Sequence, residues 1–132
     1  MTLYLWIGLG SALGGIFRFS LANVVAHHWG ESFPWGTLIV NVLGSLLIRF
    51  VATVAAPDGR FLFGTSSRAF LMTGVLGGFT TFSTFSLQTF ALLRDGEWWR
   101  AGGNVIVSIA LCLLAVWLGH VAANALNAAR AS

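Results

Sequence analysis

The sequence predicts an all-α integral membrane protein built from four transmembrane helices, and three observations predict it. Only 8% of the 132 residues are charged while 57% are hydrophobic, against about 25% charge in a soluble domain. Mean hydropathy is +0.83. The apolar residues gather into four segments, at about residues 3–26, 34–56, 69–93 and 102–126, each near the roughly 20 residues that cross a bilayer core. Together they use up nearly the whole chain, so residues 1–132 read as a single transmembrane domain with no soluble domain.

Charge narrows the function classes. The isoelectric point is about 10.6, yet all seven basic residues are isolated arginines, which leaves no basic patch for nucleic acid. The lone Cys112 excludes an intrachain disulfide or a cysteine metal site. The first segment lacks a basic start and a cleavage site, so it reads as a retained helix. The four acids, Glu31, Asp58, Asp95 and Glu97, all map to loops. A four-helix proton-coupled drug exporter needs a carboxylate inside the membrane, so the sequence argues against that mechanism. No nucleophile, base and orienting group can be placed together, which leaves an enzyme without support.

With four spans, Arg60, Arg68 and Arg130 fall on one side of the membrane and Arg18, Arg94 and Arg100 on the other. Arg49 makes the count only four against three. A cytoplasmic excess of arginine and lysine sets orientation, and this chain has almost none. It is therefore expected to insert both ways up, which makes an antiparallel homodimer a natural assembly.

In the first segment Gly8, Gly10, Gly14 and Gly15 are the kind of small residues that let membrane helices approach closely. Arg18 follows. An arginine inside a span faces protein, water or the interface, so it either snorkels to the headgroups or serves an anion path. His27, His28 and Glu31 in the first loop read as interfacial polar residues, since two neighbouring histidines seldom converge on one ion without further ligands.

The second segment opens with Pro34, suited to a first helical turn. Thr37, Asn41 and Ser45 then recur every fourth residue as a narrow polar stripe. Asn41 is its sharpest member, and its plainest role is an interhelical hydrogen bond. Arg49, about 80° round the helix from Asn41, is expected to reach the second loop and Asp58. Pro57, Asp58, Gly59 and Arg60 signal a turn. Trp98 and Trp99 with the charges around them form an interfacial belt. In the fourth segment Asn104, Ser108 and Cys112 share a face and read as a packing seam, and His120 reads as a capping or interfacial group.

The chain is organised around Gly74–Ser86, Gly-Val-Leu-Gly-Gly-Phe-Thr-Thr-Phe-Ser-Thr-Phe-Ser. Gly77 and Gly78 lie in the middle of an uncharged run, where a spanning helix tolerates a break only if protein shields the freed backbone. Carbonyls released at such a break suit a sodium-like cation. Phe82 and Phe85, three apart, share one face of the half-helix that follows. A ring edge is electropositive and can meet a small anion without a fixed charge, and Thr80, Thr81, Ser83 and Thr84 add hydroxyl donors. Taken alone, a phenylalanine pair is more often simple packing.

This stretch resembles the signature of the Fluc fluoride channels, also known as CrcB. Two further matches stand in the right order: Gly14 to Phe19, and Pro34 to Leu38 with Asn41 and Gly44. The resemblance covers essentially the whole chain. It implies a broken third helix, a dual-topology antiparallel homodimer in the bacterial inner membrane, and passive, selective export of fluoride that relieves fluoride toxicity. It further implies a structural sodium ion at the dimer interface, held by the backbone carbonyls of Gly77 and Thr80. By the same resemblance Phe82 and Phe85 form an aromatic box along the pore, Asn41 donates to fluoride, Ser83 and Thr84 line a polar track to which Ser108 adds a hydroxyl, and Arg18 is a positive charge near the vestibule. Three positions depart from relatives: Arg49 stands where glycine is common, Gln88 where glutamate is frequent, and Asn104 where tyrosine can occur.

Overall fold

The structure is a computed structural model and describes residues 1–59 and 61–129; Arg60 and Arg130, counted above in the charge balance, lie outside the described residues. Four helical stretches are long and apolar enough to cross a membrane: Thr2–Trp29, Trp35–Val54, Thr65–Arg94 and Trp98–Ala128. The all-α, multi-span expectation therefore holds. The first, third and fourth stretches run a few residues past the expected limits because their interfacial ends continue the helical hydrogen bonding, as in Ala101 N–H to Glu97 O at 2.9 Å.

We label Thr2–Trp29 α1 and Trp35–Val54 α2. The third span is composite: α3 (Thr65–Arg68), a π-helical segment (Ala69–Leu76), α4 (Gly77–Phe79) and α5 (Phe82–Arg94). The last helix, α6, runs Trp98–Ala128. Gly77 and Gly78, where the sequence suggested a break, are helical, with Gly77 at φ −66°, ψ −38°. The extended residues are Thr80 (φ −81°, ψ 156°) and Thr81 (φ −152°, ψ 116°). The reason is chemical: glycine permits a break, whereas the groups that replace the lost helical bonds belong to Thr81 and Asn41, as described below.

The helices pack mainly in two pairs. α1 lies against the π segment and α4, while α2 lies against α6, and α5 packs on α6. The third span therefore starts beside α1 and ends beside α6, crossing over at Thr80 and Thr81. Close approach in the first pair depends on glycine. A Cβ on Gly10 would stand 2.5 Å from Phe70 O and 2.9 Å from Gly74 Cα, and one on Gly14 would run into Val75 O. In a bilayer, where lipid is as apolar as leucine, such backbone contact is a main source of helix association.

The loops are stapled locally. Trp35 stacks edge-on against Trp29 at 5.6 Å between ring centroids and lies 4.7 Å from Phe33. After α2, Phe61 N–H donates to Val54 O at 2.9 Å and the Arg68 guanidinium to Ala55 O at 3.1 Å. Beyond the end of α5, Gly96 stands at φ +78°; Glu97 N–H bonds Leu92 O at 2.8 Å and Gly96 N–H bonds Leu93 O at 3.1 Å. That pair of bonds satisfies the orphan carbonyls of a helix end and needs the left-handed residue that glycine supplies.

Candidate functional site: the groove at the Thr80–Thr81 crossing

Asn41 and Thr81 define the site. Thr81 N–H would bond Gly77 O in an uninterrupted helix, but here it donates to Asn41 Oδ1 at 2.8 Å. Asn41 Nδ2 in turn donates to Thr81 O at 3.0 Å. The amide thus clasps both backbone groups of one residue across 40 positions of sequence. Thr81 also caps α5: its Oγ1 accepts from Thr84 N–H at 3.2 Å and donates to Thr84 Oγ1 at 3.0 Å. A threonine in this place satisfies one of the unpaired donors of a helix start. Thr84 N–H is consequently diverted from Thr80 O, its partner in an unbroken helix.

A groove of about 430 Å³ opens beside this clasp. α2 lines it with Asn41, Ser45 and Ile48, the extended step with Thr80 and Thr81, and α5 with Phe82 and Phe85. Opposite them α6 contributes Ser108, Ile109, Cys112 and Leu113. The rings of Phe82 and Phe85 sit 5.4 Å apart at 42°. Phe82 is 78% exposed in the single chain, whereas Phe79 is buried and packs near Gly44. The ring pair at the groove is therefore Phe82 with Phe85, and Phe79 belongs to the core.

Ser108 is buried and donates to Asn104 Oδ1 at 3.3 Å; Asn104 Nδ2 donates to Thr89 Oγ1 at 2.9 Å, and Thr89 Oγ1 to Phe85 O at 2.8 Å. This relay ties α6 to the back of the ring-bearing helix. Asn104, only 1% exposed, is thus a structural polar residue of the kind that must be hydrogen-bonded when buried.

The structure brings Asn41, Thr80, Phe82, Phe85 and Ser108 together around one groove. Ser83 and Thr84 stand next to it through Thr81, with Ser83 Oγ 3.3 Å from Thr81 Oγ1. Arg18, half-buried on α1, is not part of the groove wall, and neither is Gly77. Arg49 does not reach towards Asp58 by any described hydrogen bond or ion pair. Its Nη2 instead meets His120 Nδ1 at 3.1 Å, because α6 lies alongside α2 over this stretch and offers an acceptor closer than the loop. The tight role of Thr81 was missed; its signal was a threonine three residues before another hydroxyl at the start of an apolar helix.

The residue pattern matches a known family. Residues 5–120 match the family described as CrcB-like protein, Camphor Resistance (CrcB). A relative from Opitutus terrae named Fluoride-specific ion channel FluC is 64% identical over 132 residues, covering 100% of both chains. Relatives of the same name from Methylocella silvestris and Paramagnetospirillum magneticum are 57% and 54% identical, over 94% and 96% of this chain and 95% and 99% of their own. With the family match over residues 5–120 and identities of 54–64% over nearly the whole chain, the chain belongs to the CrcB family.

Proposed function

We propose that this chain is a passive, fluoride-selective ion channel that exports fluoride from the cytoplasm and so relieves fluoride toxicity. What carries the reading is the identity of 64% over the whole chain with a relative named for that activity. The groove gives it a physical route. A small anion shedding water needs donors and no strong trap. Asn41 Nδ2 has two protons and spends one on Thr81 O, so the other can turn to an ion in the groove. The ring edges of Phe82 and Phe85 supply weak positive potential, with the hydroxyls of Ser83, Thr84 and Ser108 as stepping points. Arg18 adds a fixed positive charge at a vestibule outside the groove. Driving force comes from the membrane potential, worth about 2.3 kcal/mol per charge at 100 mV, and no coupling site is needed.

The reading includes an antiparallel, dual-topology homodimer in a bacterial inner membrane, with lipid around it and a broken third helix at its centre. Phe82 at 78% exposure and the exposed Gly77 are surfaces that a second copy would cover. A structural sodium ion fits the residues present. Gly77 O and Thr80 O are the two carbonyls whose helical donors, Thr81 N–H and Thr84 N–H, are drawn off to Asn41 and to the Thr81 hydroxyl. These carbonyls, repeated by symmetry, would hold the ion, and the ion would supply a positive charge that ties the two subunits together.

The test is fluoride release from vesicles containing the purified protein, read with a fluoride-selective electrode, with chloride as control. Fluoride efflux without chloride efflux is expected. Release of neither ion, or of both alike, sinks the reading.

A further inference from the structure

The polar stripe of α2 does not stop at the groove. Asn41, Ser45, Arg49 and Thr53 continue it every fourth residue, and on α6 His120 sits seven residues beyond Leu113, about 20° round the helix. Ser45 and Leu113 both line the groove. Arg49 and His120 therefore stand on the groove's own faces, with Arg49 about 6 Å along the axis past Ser45, where their side chains meet at 3.1 Å. A guanidinium only donates, so His120 Nδ1 accepts from it. Thr53 Oγ1 lies 3.3 Å from the same nitrogen, and the Asn124 amide 2.9 Å from Nε2. With Nδ1 accepting, Nε2 carries the ring proton and can be held by the Asn124 amide only through its oxygen, and the ring in turn holds the arginine.

Among the described residues, no carboxylate is paired with the charge at this place. The ion pairs among the described residues are Arg94–Asp95 and Arg100–Glu97, both at the opposite end of the bundle. Among the described residues, Arg68 at this end is committed to Ala55 O at 3.1 Å. Among the described residues Arg49 thus presents a positive charge without a carboxylate partner one helical turn from the groove, anchored by a ring nitrogen.

We infer that Arg49, positioned by His120, is an anion-collecting site at the mouth of the groove, taking a small monovalent anion such as fluoride and delivering it to Asn41 and the ring pair. This rests on the channel reading above. A charge at the end of a narrow, low-dielectric path raises the local concentration of the opposite charge, by about 10-fold or more when unscreened. The effect must fade with salt, since the screening length falls from about 30 Å at 0.01 M to about 3 Å at 1 M.

The experiment compares fluoride efflux from vesicles at those two ionic strengths for the wild type, Arg49→Gln, Arg49→Lys and His120→Leu. We expect Arg49→Gln to slow efflux about 10-fold at low salt and far less at high salt. Arg49→Lys should keep most of the rate, and His120→Leu, which leaves the charge but frees it, should fall between. Equal rates for the wild type and Arg49→Gln at low salt overturn the inference, as does a loss in Arg49→Gln that is the same at both salts, which would mark a packing role. Should Arg49→Gln fail to purify as the wild-type assembly, His120→Leu decides: a rate and salt dependence equal to the wild type's overturns the inference. A wild type that releases no fluoride sinks the channel reading itself, a separate result.

Discussion

Replacing Asn41 by aspartate exchanges the side-chain NH2 for an oxygen and tests the clasp and the path together. The carboxylate can still accept from Thr81 N–H, but it cannot donate to Thr81 O, so the 3.0 Å bond is lost, at about 1 kcal/mol. The larger effect is on a passing anion. A unit negative charge about 4 Å away, at the effective dielectric of about 20 that suits partly buried pairs, opposes it by about 4 kcal/mol. At about 1.4 kcal/mol per tenfold, anion occupancy at this point falls by nearly three decades, and flux with it. Asn41→Ala is the control. It loses both clasp bonds, about 1–3 kcal/mol in total, and lets Thr81 N–H return to Gly77 O, but it adds no charge. Fluoride-electrode efflux at neutral pH should rank wild type over alanine over aspartate. An aspartate variant that elutes as the wild-type assembly and conducts at the wild-type rate would refute the placement of Asn41 beside the ion.

Phe82→Ile and Phe85→Ile should each suppress fluoride efflux while the protein still elutes as the wild-type assembly, because the side chain stays apolar but the ring edge is gone; unchanged efflux in both would remove the ring pair from the path. Gly14→Ala should destabilise the protein by about 1–3 kcal/mol through overpacking, since its Cβ would run into Val75 O and stand 2.8 Å from Phe79 N. Gly15→Ala, with nothing within 4 Å of its Cβ, should leave the unfolding midpoint in detergent unchanged, and equal midpoints for both variants would refute the contact. Gln88 Oε1 is buried without a hydrogen-bond partner, so Gln88→Met should hold or raise thermal stability, because an unpaired buried acceptor is unfavourable; a lower melting temperature would show that a group outside this chain bonds that oxygen.

The spans were legible because a bilayer imposes a length and a composition that few other environments impose, and the segments at 3–26 and 69–93 show it directly. Asn41 was legible too, as the polar member of an apolar helix, and its interhelical bonding followed. The location of the interruption was not. Gly77 and Gly78 advertise freedom, but freedom does not choose a conformation; two hydrogen bonds from α2 do, and they come from 40 residues away. Arg49 was misassigned for the same reason, since its acceptor on His120 is 71 residues distant while Asp58 is near in sequence. The π-helical turns of Ala69–Leu76 carry no compositional mark that separates them from an α-helix.

The crossing at Thr80 and Thr81 means that the two halves of the third span keep different company. The stretch up to Phe79 travels with α1, locked by Gly10 and Gly14, whereas the ring-bearing half is moored to α6 through Thr89 and Asn104. Damage to one mooring need not spread to the other. A wedge driven under α1 would disturb the backbone around Gly77 and leave the Phe82–Phe85 half in place, and cutting the Asn104 relay would do the reverse, so the two halves of one short peptide are separately breakable.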